Sequence, residues 1–231
     1  MARYVLVHGA WQGSWGYTEV ARQLREKGHE VHVPALTGIG EREHLASPAI
    51  TLGTHIADVV GMIESRDLED VILCGHSYGG MVITGAASQV ARRIRTLFYL
   101  DAFLPQDGQA LWDITDEGAH RHYIEGQKDM PGLVAPFSGV IERPFNGKAR
   151  RLSRQPLLTL TEPVRLSGEE RTIPNRTYIY ATRNAPTSFT RFYEQLRHDP
   201  AWKVETVPTG HVVMQDDPDL LVRLLLEEVD R

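Results

Sequence analysis

The 231-residue chain has one cysteine, Cys74, so no internal disulfide can form. A lone thiol fits a reducing compartment. No apolar run approaches the roughly 18 residues of a membrane-spanning helix. The opening MARYVLVHGAW lacks the long apolar stretch and small-residue cleavage site of a secretory signal. The expectation is a soluble, cytoplasmic protein. Neither charge sign dominates: 25 Lys and Arg stand against 30 Asp and Glu, a net charge of −5 with pI about 6.1. That balance argues against nucleic acid or an anionic membrane as partner. Internal repeats and low-complexity tracts are absent. One further absence is local: no Asp or Glu occurs between Arg171 and Tyr193, across the stretch TYIYATRNAPTSF.

Short β-branched and aromatic runs are plentiful. Strands are expected at YVLVH (4–8), EVHVPA (30–35), VILCG (71–75), TLFYLD (96–101), TYIYAT (177–182) and KVETVP (203–208). Most are nearly all apolar, as in a parallel sheet covered on both faces. Helix-period segments separate them. Trp15, Val20, Ala21 and Leu24 share one face before Gly28, and Ile56, Val59, Val60 and Ile63 share another. Pro218 can open a last helix with Leu221, Val222, Leu225 and Val229 inward. The alternation predicts an α/β fold, a doubly wound and mostly parallel sheet. It breaks between about 104 and 172, a segment with six of the 13 prolines and the basic cluster KARRLSR (148–154). This reads as an inserted, mainly helical cap (104–172) on a core formed by 1–103 and 173–231. The basic cluster reads as a solvated face.

Chemistry concentrates in VILCGHSYGGMV. Gly75-His76-Ser77-Tyr78-Gly79 has the G-x-S-x-G form of a nucleophile elbow, with a legible strand before it and helix after it. Ser77 is the candidate nucleophile. His211, in VPTGHVVM after the last strand, is the candidate base. The HGA ending the first strand places the backbone N–H of Ala10 beside that of Tyr78, two candidate oxyanion donors. His29 and His32 lack the zinc spacing, His120 and His122 lack a third ligand, and His76 reads as a hydrogen-bonding neighbour. No cofactor and no metal is expected.

VLVHGAWQGSW, GHEVHVPALTGIGER, GHSYGGMV, YLDAFLP and GHVVM, spread over most of the chain except 104–172, resemble the compact α/β-hydrolases that include plant methylesterases, hydroxynitrile lyases and bacterial esterases. The resemblance implies an α/β-hydrolase fold and a Ser–His–acid triad. Hydroxynitrile lyases of that group carry a lysine and a threonine where this chain has Val212 and Gly9, which argues against lyase chemistry. Relatives also carry the triad aspartate after the penultimate strand, where this chain reads ATRNAPTSF, with Ala185 or a neighbour at that position.

Three solutions to the missing acid remain: Asp101, Asp199, or no functional acid. Asp101 is preferred, since it ends TLFYLD at the same sheet edge and some relatives in the superfamily place an acid after that strand. Its apolar neighbours make a simple turn role costly. Asp199 precedes the last strand, and Glu194 reads as exposed. If Asp101 is the acid, residues 183–188 are free to shape the pocket or dock the cap. Trp11, Phe103, Trp112 and Phe137 are candidate substrate contacts, with Leu104, Met130, Leu133 and Phe145 as further apolar candidates. The expected function is a serine hydrolase of a small apolar or aromatic ester or lactone. A C–C bond hydrolase, a cofactor-free biosynthetic enzyme and a non-catalytic small-molecule receptor stay open. So does a homodimer.

Overall fold

The computed structural model describes residues 1–137 and 152–231. Six strands form one parallel sheet: β1 (Arg3–Val7), β2 (Glu30–His32), β3 (Val71–His76), β4 (Ile94–Leu100), β7 (Asn175–Ala181) and β8 (Lys203–Val207), in the order β2-β1-β3-β4-β7-β8. Two-residue β5 (Leu133–Val134) and β6 (Gln155–Pro156) pair antiparallel outside it. All six expected strands are present. β2 stops at His32 instead of 35, because Pro34 can donate no ladder hydrogen bond.

Pleating sends alternate residues to opposite faces. Tyr4, Leu6, Ile72, Cys74, Phe98 and Leu100 pack with α1 (Thr18–Glu26) and α8 (Pro218–Glu227). Val5, Val7, Leu73, Leu97 and Tyr99 pack on the other face with α2 (Leu52–Ser65), α3 (Gly79–Val90) and α6 (Thr190–Leu196). Thr51 caps α2 through a reciprocal box with Thr54, leaving fewer N-terminal amides unpaired. Pro218 opens α8, and Gly28, at φ +84, follows the end of α1.

The described part of the β4–β7 connection runs over the carboxyl edge of the sheet. Its described residues include α4 (Glu117–Glu125), one-turn α5 (Leu158–Thr161) and the β5/β6 pair. It grips the loop after β1: Trp11 N–H donates to Gln155 Oε1 at 2.9 Å, Trp11 Nε1 to the Val134 carbonyl at 3.1 Å, and Ser153 N–H to the Trp11 carbonyl at 2.9 Å. One-turn α7 (Val213–Asp216) follows β8. No helix among the described residues is long and apolar enough to cross a membrane. Phe145 and most of the basic cluster lie outside the described residues.

Candidate active site

Ser77 sits where β3 must reverse into α3 within a few residues. Its φ of +54 is left-handed, a strain of about 1–2 kcal/mol for a residue with a side chain. Three backbone bonds hold it: Ser77 N–H to Leu100 O at 3.3 Å, Gly80 N–H to Ser77 O at 3.0 Å, and Phe103 N–H to Ser77 O at 3.1 Å. The elbow glycines are needed for space. A Cβ on Gly75 would stand 2.6 Å from Gly79 O, and one on Gly79 2.7 Å from Val7 O.

Asp101 lies one residue beyond β4, also left-handed (φ +42) and 1% exposed. His211 Nδ1 donates to Asp101 Oδ2 at 2.7 Å, and Ala181 N–H donates to Oδ1 at 3.1 Å. An ionised carboxylate only accepts, so this bond places the imidazole proton on Nδ1 and leaves Nε2 as an acceptor. Asp199 is exposed and accepts from Ala201 N–H at 2.9 Å, and exposed Glu194 pairs with Arg197. Neither faces His211.

His211 is held on two further sides. His76 Nε2 donates to the His211 carbonyl at 2.8 Å, and the two rings stand 4.5 Å apart. Burial, followed by repulsion from His211, holds the pKa of His76 well below the usual histidine range. A neutral His76 puts no second charge beside an imidazolium. Phe189 stacks on His211 at 4.8 Å and 11°.

The loop after β1 is oriented by His8, which is fully buried. Its Nδ1 donates to Gly9 O at 3.0 Å, and its Nε2 accepts from Leu36 N–H at 3.4 Å. In a trans peptide, C=O and N–H point oppositely. Holding the Gly9 carbonyl therefore turns the Ala10 N–H the other way. Tyr78, at the start of α3, has a backbone N–H with no partner one turn back. Its hydroxyl donates to His55 Nδ1 at 2.9 Å, while His55 Nε2 donates to Thr37 O at 2.8 Å.

Ser77, His211, Ala10 and Tyr78 line one cavity of about 230 Å³, together with Trp11, Phe103 and Phe137. Phe137 is edge-on to Trp11 at 5.2 Å. Ser77 and His211 share this cavity without a side-chain hydrogen bond between them. Such contacts are often long in a free enzyme and tighten around substrate. Trp112 does not reach the cavity. It stacks on His120 at 4.0 Å and 4°, and its neighbours Leu111 and Thr115 form the wall instead. Leu104 lines a different cavity, Leu133 is buried in β5, and Met130 is 46% exposed. Gln12, Tyr123, Ser188 and Phe189 complete the wall. Ser188 lies within the 183–188 loop, and Arg183 pairs with Asp216 at 2.8 Å. Gln12 and Tyr123 carry no motif, and only tertiary packing brings them here.

The profile of the Alpha/beta hydrolase family matches residues 4–224. A carbendazim hydrolyzing esterase from Nocardioides sp. (strain SG-4G) is 40% identical over 238 residues, covering 97% of this chain and 98% of that protein. An alpha-hydroxynitrile lyase of Arabidopsis thaliana is 30% identical over 130 residues, 56% of this chain and 47% of the lyase. Among solved structures, an extracellular alpha/beta-hydrolase from a Paenibacillus species superposes with a TM-score of 0.82 at 24% identity, over 99% of both chains. That likeness speaks to the fold. The chain belongs to the alpha/beta hydrolase family and is an enzyme of its carboxylic ester hydrolase type.

Proposed function

We propose that the chain is a cofactor-free serine hydrolase that cleaves a small apolar or aromatic carboxylic ester, or a lactone, through an acyl-enzyme. The observation that carries this reading is the 2.7 Å bond from His211 Nδ1 to buried Asp101, beside a strained Ser77 in the same cavity. Ser77 Oγ attacks the ester carbonyl as His211 Nε2 takes its proton. The tetrahedral oxyanion receives hydrogen bonds from the Ala10 and Tyr78 amides. Collapse expels the alcohol, which takes the proton from His211, and water then repeats the sequence to release the acid. Asp101 stabilises the imidazolium in both halves.

The described residues of 104–172 act as a cap that lines the cavity and holds the oxyanion loop through Gln155 and Ser153. The cavity, about 230 Å³, is smaller than the roughly 300–1,000 Å³ typical of ligand pockets. That favours a compact acyl or alcohol group with an apolar body against Trp11, Phe103 and Phe137. Val212 lines the cavity where a lyase would carry its lysine, and this supports hydrolysis over cyanohydrin cleavage.

Ser77→Ala is expected to abolish turnover of p-nitrophenyl acetate, measured as release of p-nitrophenol. An unchanged rate would sink the proposal. Carbendazim, the compound in the 40% identical relative's name, belongs in the first substrate panel beside aryl acetates.

A further inference from the structure

A cavity of about 550 Å³, larger than the one at Ser77, lies elsewhere in the molecule. It lies on the sheet face covered by α2, α3 and α6, over β4 and β7. Among the described residues, no long helix covers those strands between α3 and α6. The four-residue 3-10 turn Glu169–Thr172, Leu166 and described residues between 104 and 114 border the gap. The cavity floor is therefore the sheet itself, at Leu97, Tyr99 and Arg176.

Two arginines there have no acid. Arg176 Nε is buried with no hydrogen-bond partner among the described residues, and its guanidinium lies 5.5 Å from the centre of the Trp202 ring. Arg191 lies over Phe192 at 4.5 Å and donates to the Ile114 carbonyl at 2.6 Å. Neither has a carboxylate within salt-bridge distance among the described residues. The acids that line the cavity are already engaged: Asp113 accepts from Ala110 N–H at 2.8 Å, Asp199 accepts from Ala201 N–H at 2.9 Å, and Glu170 accepts from Gly168 N–H at 3.0 Å and forms an ion pair with Arg171 at 3.6 Å. A buried guanidinium donor left without an acceptor is costly, and an anion that supplies one removes the cost.

We propose that this cavity is a second small-molecule site, selective for a monoanionic aryl carboxylate held by Arg176 and Arg191 with its ring against Trp202 and Tyr99. The formal charges around the cavity set the charge of the ligand. Arg171, Arg176 and Arg191 line the cavity together with Asp113, Glu170 and Asp199, so the lining is neutral overall and a dianion meets three carboxylates for its three cations. The walls set the body: Tyr99 and Trp202 present rings 5.6 Å apart, with Leu97, Ile114 and Phe192 around them. The site is separate from the one at Ser77. Phe103 belongs to the wall of one cavity and Phe192 to the other, and their rings meet at 6.3 Å.

The test is calorimetric titration of the full chain with sodium benzoate and, separately, with inorganic phosphate. Benzoate is expected to bind one to one, with phosphate at least about tenfold weaker. Arg176→Gln removes a charge-assisted contact and is expected to weaken benzoate about tenfold or more. Circular-dichroism melting checks that the variant is folded, and Arg191→Gln serves as the second variant should it not be. The proposal is overturned by the absence of benzoate binding in the millimolar range. It is equally overturned if folded arginine variants bind benzoate like the parent chain, which would place the benzoate elsewhere. Phosphate binding as tightly as benzoate would overturn the assigned ligand class.

Discussion

Asp101 stands between Leu100 and Ala102 with 1% of its surface exposed, where an ionised carboxylate without partners would be destabilising by several kcal/mol. Its partners are the Ala181 amide and the His211 imidazole, the second a charge-assisted bond of the stronger kind. Asp101→Asn keeps the shape but turns a donor toward Nδ1, which forces the imidazole into the wrong tautomer. The kcat for an aryl acetate is expected to fall by up to about 10⁴-fold. Asp199→Asn, at an exposed turn, should leave it unchanged. Equal rates for the two variants, in stopped-flow or steady-state assays, would remove Asp101 from the triad. Asp101 is legible in the sequence as the candidate acid through an absence plus a burial argument: the expected loop holds no carboxylate, and Asp101 closes an apolar strand. Trp112 is not legible, because composition cannot tell a ring that lines a cavity from one that stacks on His120 beside it. Gln12 and Phe189 are not legible as wall residues either, since each reaches the cavity through packing between distant segments.

At the scale of elements, the β3–turn–α3 unit depends on close backbone approach. A Cβ on Gly80 would lie 2.0 Å from the Phe103 carbonyl oxygen, a backbone atom that cannot rotate away. Gly80→Ala therefore pushes α3 off the loop after β4 and is expected to destabilise by about 2 kcal/mol or more. A Cβ on Gly61, inside α2, would meet nothing within 4 Å. Gly61→Ala should stabilise by roughly 0.5–1 kcal/mol through helix propensity alone. Urea denaturation of the pair checks both signs, and similar midpoints would show that steric crowding does not govern the elbow. The elements themselves are legible because apolar runs, Gly28 and Pro218 mark their ends. The gap between α3 and α6 is not, because it depends on where the long β4–β7 connection settles.

At the scale of the molecule, neutral buried histidines tie stability to pH. Burial lowers the pKa of His55 from 6.5 to about 4, and burial also lowers those of His8 and His76. In each case the unfolded chain binds a proton that the folded chain refuses. Stability from these groups is complete above the unfolded pKa of about 6.5 and is lost as pH falls toward the folded value. For His55 alone the loss by pH 4 is on the order of 3 kcal/mol. The urea midpoint should fall steeply between pH 7 and pH 4.5, and less steeply in His55→Gln. A flat profile over that range would contradict the assignment of these rings as neutral. The doubly wound fold follows from strand–helix alternation, whereas the roles of His8 and His55 as braces for the loop after β1 and for Tyr78 emerge only from tertiary contacts.

The two oxygens of Asp101 bind different parts of the chain: Oδ1 takes the amide at the end of β7, and Oδ2 takes the imidazole that follows β8. The side chain itself hangs from the end of β4. One carboxylate thus joins the carboxyl ends of three neighbouring strands. Protonating or removing it unfastens the sheet edge and the His211 imidazole together, so the precision of the proposed base and the mechanical integrity of that edge wear out at the same joint.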